Sequence, residues 1–156
     1  MACPFFAPQR TLEPGPWTHP PRLPLGDAWF GFCQAHPSGS SFAPPEGHQR
    51  ELCNRGYARG MCEHFPASSA ADAVRFSVVD EQTDRLGLVY IVEKDHAPLH
   101  HGEIDFSIAK GAFAELFPDE KLMRQARAFV ENYLKNRADA HADAAPRVAA
   151  SKRAAV

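Results

Sequence analysis

Four cysteines, Cys3, Cys33, Cys53 and Cys62, are the residues of this 156-residue chain best suited to chemistry, and their spacings are C-x29-C, C-x19-C and C-x8-C. Structural zinc sites commonly use knuckles with two to four residues between paired cysteines, because a tight turn presents both thiolates to one small tetrahedral ion. No such knuckle occurs here. An iron-sulfur cluster is larger than a single ion and accepts thiolates from separate loops, so four isolated cysteines suit it better, as [2Fe-2S] or, by preference, [4Fe-4S]. The expected cofactor and metal ligands are therefore Cys3, Cys33, Cys53 and Cys62, with zinc as the alternative occupant. Disulfides, and thiols that only pack or react, are further readings of the same residues.

The neighbours of the cysteines point the same way. Cys3-Pro4 repeats a pairing found in the bacterial ferredoxin run, where proline follows a ligand cysteine. Phe5 and Phe6 follow Cys3, Trp29, Phe30 and Phe32 precede Cys33, and Met61 and Phe65 flank Cys62. A shell of that kind would keep water from the sulfurs and lower the local dielectric. Four thiolates carry four negative charges, and Arg50, Arg55 and Arg59 lie within or beside the Cys53–Cys62 segment, to offset that charge, to meet an acidic partner, or to form a solvated helix face.

His36 follows Cys33 by three residues and His64 follows Cys62 by two, so each is placed to replace a cysteine or to donate a hydrogen bond to one, although packed or surface histidines are the commoner case. His96, His100 and His101 read as a solvated turn. Cys62 with Glu63 and His64 has the residue types of an activated nucleophile, but an i, i+2 pair does not by itself supply a base in hydrogen-bond reach. A glycine-rich phosphate loop, a GxSxG elbow and a paired-histidine metal motif are all lacking, so the reading is a redox carrier or accessory protein before an independent enzyme.

These residues need elements to hold them, and the two parts of the chain differ in kind. Eleven of the 14 prolines and seven of the 10 glycines fall in residues 1–66. Proline removes a backbone donor and biases the preceding residue toward extended conformations, so residues 1–44 read as an irregular wrapping arm, ordered because it carries Trp17, Trp29 and five phenylalanines. Pro44-Pro45-Glu46 opens a short helix that brings Cys53 into its last turn, with Gly56 as its stop. The whole of 1–66 is thus expected to be a loop-rich shell around the four cysteines.

Residues 67–137 read as a small module. Val74, Phe76 and Val78 alternate with polar neighbours, then Leu86, Leu88, Tyr90 and Val92 form one face of a second strand with Val89 and Ile91 on the other, and Ile104, Phe106 and Ile108 mark a third. Local turns favour a three-stranded antiparallel meander whose middle strand is covered on both sides. A turn of helix is expected over 113–117, and from 118 the stripe Leu122, Ala126, Phe129, Val130, Tyr133 and Leu134 predicts a helix laid across the sheet. Residues 138–156, mostly alanine, are expected to be a disordered tail. The fold class is α+β.

The strings Cys3-Pro4-Phe5-Phe6, His19-Pro20-Pro21-Arg22-Leu23-Pro24-Leu25-Gly26 and Cys53-Asn54-Arg55-Gly56-Tyr57-Ala58-Arg59-Gly60-Met61-Cys62 resemble a group of small bacterial four-cysteine proteins that carries no assigned activity. What the resemblance implies is that the four cysteines act as one set, as in an iron-sulfur binder.

Composition narrows the rest. A net charge of −2 gives no positive field for a phosphate backbone, and no apolar run is long enough to span a bilayer. The first residues have no basic n-region or cleavage site, so a cytoplasmic setting is expected, where thiols stay reduced and meet metals before they form disulfides. The expected partner is a redox or accessory protein rather than nucleic acid or membrane. In sum, the sequence predicts a small soluble iron-sulfur protein in electron transfer, with a zinc-stapled interaction module or a thiol redox protein as the alternatives.

Overall fold

The computed structural model describes residues 2–13, 23–35, 40–115 and 119–144. Strands β1 (Phe6–Thr11) and β2 (Trp29–Cys33) pair antiparallel. Helix α1 (Glu46–His48) runs directly into a π-helical turn, Gln49–Cys53. Strands β3 (Ala73–Glu81), β4 (Arg85–Lys94), β5 (Ala97–Ser107) and β6 (Ala112–Phe113) form an antiparallel meander in that order, and helix α2 (Glu120–Ala144) packs against β1. The architecture is α+β with two small antiparallel sheets.

The N-terminal arm is more regular than its prolines predict, since β1 and β2 lie within the stretch expected to be irregular. Each is an edge strand in a two-stranded ribbon, where proline costs no ladder bond if it faces outward, and the register shifts between Pro8 and Arg10, the bulge that accommodates it. Gly31 faces Pro8 across the ribbon; a Cβ there would stand 2.3 Å from the Ala7 carbonyl oxygen, so only glycine permits this approach. Alternation along β2 turns Trp29, Gly31 and Cys33 inward.

The meander has a fourth strand where a helical turn was expected: Ala112 and Phe113 pair with Ser107 and Phe106. Residues 116–118, the rest of that expected turn, lie outside the described residues. Strand β5 starts at Ala97, earlier than the sequence suggests, because Asp95 and His96 both adopt positive φ and close a two-residue hairpin. His100 and His101 therefore belong to the strand, not to the turn. Strand β4 lies between β3 and β5 as expected, but its second face is only partly covered: Gly87 and Glu93 are buried, Val89 and Ile91 half-buried.

Helix α2 is capped by Asp119, whose carboxylate accepts the Lys121 and Leu122 amides. Its apolar stripe meets the sheet: Leu122 and Ala126 join Val74, Phe76 and Val92, while Val130 joins Leu86, Leu88 and Phe106. The helix continues through residues 138–144, which were expected to be disordered; residues 145–156 of that expected tail lie outside the described residues. Ala2, Cys3 and Phe6 of the arm share the first of these clusters, so the arm and the module have a common core. Among the described residues no helix is long and apolar enough to cross a membrane.

Candidate metal centre

Each cysteine is held by a different piece of backbone. Ala2 bridges to Val74 at the start of β3, and Cys3 donates its amide to the Cys53 carbonyl at 2.9 Å. From the other side the buried Gln125 of α2 donates to the carbonyls of Cys3 and Phe6, at 2.8 and 2.7 Å. The Cys3 sulfur accepts the amides of Phe5 and Phe6, the arrangement of a tight turn folded around a sulfur acceptor. Cys33 ends β2, is locked to Phe42 by a reciprocal pair of backbone bonds, and accepts the Ala35 amide at its sulfur.

Cys53 closes the π-helical turn, and two buried amides brace that turn against β2. Gln49 accepts the Gly31 amide at 2.8 Å and donates to the Pro44 carbonyl. Asn54 accepts the Trp29 amide and donates to the carbonyls of Trp29 and Gln49, each at 2.9 Å. Together they satisfy backbone groups that the wider helical turn and the end of the ribbon would otherwise bury unpaired. Cys62 follows Gly60, whose φ of 78° allows the chain to curl back, and its amide returns to the Ala58 carbonyl.

These four segments bring Cys3, Cys33, Cys53 and Cys62 to the wall of one cavity, completed by Phe5, Ala35, Leu52, Ala58, Phe65, His48 and His64. The space inside it open to a water-sized sphere is about 10 Å³, within about 270 Å³ of non-atom space that includes open solvent. The first figure is room for roughly one water. All four cysteines are free thiols, which removes the disulfide reading for this structure. Cys3, Cys33 and Cys53 are buried and Cys62 is half-buried.

Electrostatics follows burial. Desolvation pushes the Cys3 thiol up to about 12, against opposing bonds from the Phe5 and Phe6 amides and with added repulsion from Cys33 and Cys62. Burial also raises Cys53, with repulsion from the other three sulfurs, and burial raises Cys33, with repulsion from Cys62. The sulfurs thus feel one another across the cavity. Among the described residues, however, no set of three or more His, Cys, Asp or Glu side chains is arranged to hold a single metal ion.

Sequence reasoning missed His48, whose Nε2 lies 3.2 Å from the Cys62 sulfur. One signal was available in principle: a helix beginning at Glu46 carries His48 on the same element as Cys53. His64 also lines the cavity, its ring packed edge-on to Phe42 at 4.6 Å and 3.5 Å from Glu63, the packed or surface case that the sequence favours, while the imidazole at Cys62 is that of His48. His36 lies outside the described residues. His96 stacks on Tyr57 at 4.1 Å, and His100 and His101 are exposed.

The three arginines have other partners. Arg50 pairs with Glu46, Arg55 with Glu51, and Arg59 with the buried Asp72 while also donating to the carbonyls of Ala67 and Ser69. Arg59 thereby anchors the Cys53–Cys62 segment to the turn ahead of β3. Tyr57 does the same through Glu93, which also holds Arg75. No family model, curated protein or solved structure matches this chain, so its site is read from its own chemistry.

Proposed function

We propose that Cys3, Cys33, Cys53 and Cys62 hold an iron-sulfur cluster, of the [4Fe-4S] type, and that the protein passes electrons to or from a partner protein or serves a partner enzyme as an accessory. The observation that carries this reading is that four sulfurs spread over 59 sequence positions, from 3 to 62, line one cavity with apolar walls. Such a group, when bound, supplies a one-electron redox store. The chain's own part is to exclude water with Phe5, Leu52 and Phe65, and to stabilise thiolate charge with the amides of Phe5, Phe6 and Ala35.

Two features of the cavity pull in different directions. Its small free space favours a small occupant, whereas four sulfurs carried by four separate backbone segments favour a larger one. The arrangement outweighs the volume. A cluster therefore has more support than the zinc staple. A second reading, a thiol redox protein acting through Cys62, draws on the His48 contact and the partial exposure of that cysteine.

Anaerobic purification with iron, zinc and acid-labile sulfide analysis separates the three. The proposal expects a brown protein with broad visible absorption and about four irons and four sulfides per chain. A colourless protein with one zinc supports the staple, and a metal-free protein with one fast thiol supports the redox reading.

A further inference from the structure

A second cavity, of about 500 Å³, lies between the start of α2 and the sheet, behind the turn that carries Cys3. We propose that it binds a free aromatic α-amino acid whose ring carries an N–H or O–H, with the charged end at Asp119 and Lys121 and the ring inside. This site does not rest on what the cysteine cavity holds. Phe5 lines both cavities, but the four cysteines line only the other.

The walls come from separate elements. Val74 of β3, Val92 of β4 and Leu122 of α2 are core side chains, 4%, 7% and 9% exposed, and they meet Pro4, Phe5 and Ala71 across the space. A gap is left here because β6 pairs only with Phe106 and Ser107, at the far end of β5, so beside His100 no further strand extends the sheet among the described residues. His100 and Tyr90, their rings edge-on at 6.1 Å, line the sheet side. Apolar walls with a few placed polar groups, around a space of this size, are the usual form of a small-molecule site.

The polar groups gather on one face of α2. Asp119 caps the helix through Oδ1, which leaves Oδ2 to meet the Lys121 ammonium at 3.1 Å. Both keep unused capacity, since an ammonium has three donors and a carboxylate oxygen accepts more than one hydrogen bond. An anion and a cation side by side match the ammonium and carboxylate that an amino acid carries on one carbon. A simple acid or a simple amine pairs with one of them and is repelled by the other. Farther along the helix Gln125 is wholly buried in the same wall, and its Oε1 has no hydrogen-bond partner among the described residues. Buried acceptors are normally paired, so this one calls for a donor on the ligand's ring. Lys121 and Gln125 are four positions apart, roughly 6 Å along the axis and on one face, a span that an aromatic amino-acid side chain covers. The Gln125 Nε2 meanwhile holds the carbonyls of Cys3 and Phe6, so the ligand rests against the Cys3 turn.

Isothermal titration calorimetry of the full chain as purified tests the site with tryptophan, indole-3-propionate, tryptamine and 1-methyltryptophan. Tryptophan should bind one to one, with a dissociation constant below roughly 1 mM, the upper end of ordinary small-substrate affinities. It should bind at least tenfold tighter than the acid or the amine, and several-fold tighter than 1-methyltryptophan, in which the ring N–H is blocked. In Asp119→Asn, which keeps a good cap, the advantage of tryptophan over indole-3-propionate should vanish while that over tryptamine stays. In Lys121→Gln the reverse should hold, with far-ultraviolet circular dichroism unchanged in both. A pair that only supports the helix would not move the two preferences separately. Absence of saturable tryptophan binding overturns the site. Equal binding of the acid or the amine by the native chain, or preferences unchanged in both folded variants, overturns the assignment to Asp119 and Lys121, and equal binding of 1-methyltryptophan overturns the part given to Gln125.

Discussion

At the residue scale the cysteines declare themselves by type, and their supports do not. Nothing local marks Gln49, Asn54 or Gln125 as structural, because each serves backbone groups at positions 18, 25 and 122 residues away in sequence. His48 is hidden for the same reason, its sulfur partner being 14 residues on. The raised thiols give a prediction with a definite sign. A cysteine ordinarily ionises near 9.0, and burial holds Cys3 protonated to about 12. Below pH 9 the folded and unfolded chains both keep that proton and the stabilisation is complete. Above it the unfolded chain sheds the proton first, so the metal-free protein should lose stability as pH rises from about 9 toward 12, with Cys33 and Cys53 adding in the same direction. Thermal melts of the reduced, metal-free protein across that window should fall with pH, less steeply in Cys3→Ala. Equal slopes for the two would contradict the burial argument. Cluster loading should show the opposite trend and strengthen with pH, because ligation requires thiolates.

At the element scale the strands of the meander are legible in their alternation, and the misreadings have specific causes. Pro8 hides β1, since a proline at a bulge in an edge strand looks like a loop in sequence. Pro98 and Gly102 mask the first half of β5 in the same way, and the hairpin before it is closed by Asp95 and His96 instead of by glycine. The element that matters most to the site is α2, far from any cysteine in sequence. Its Gln125 holds the Cys3 turn by two buried hydrogen bonds. Replacing Gln125 by Met keeps the volume and removes both donors, so it should cost about 1–3 kcal/mol in chemical denaturation. It should also speed alkylation of Cys3 in the metal-free chain. A Gln125→Met protein with native stability and native Cys3 protection would show that the helix does not position the site.

At the scale of the whole molecule, composition divides the chain near residue 66, yet the packing does not follow that division. Ala2, Cys3, Phe6, Leu25, Trp29 and Cys53 share one buried cluster with Val74, Phe76, Val92, Leu122 and Ala126. Composition reports how each part makes its backbone bonds, whereas burial depends on which faces meet, and a single chain carries little trace of that. A fragment of residues 67–144 loses the arm's half of this core. It should fail to unfold cooperatively under conditions where the full chain does, as followed by circular dichroism; a sharp, native-like melt of the fragment would show the arm to be an appendage.

The same integration makes the cysteine cavity a part of the core rather than a surface patch, and the proposal is that its four sulfurs bind one iron-sulfur cluster. Iron K-edge X-ray absorption on anaerobically prepared protein tests this most directly. Iron surrounded by sulfur with a short iron–iron vector is expected, both lost together in Cys53→Ser. Iron ringed by oxygen and nitrogen without that vector, or zinc as the metal retained, would contradict it.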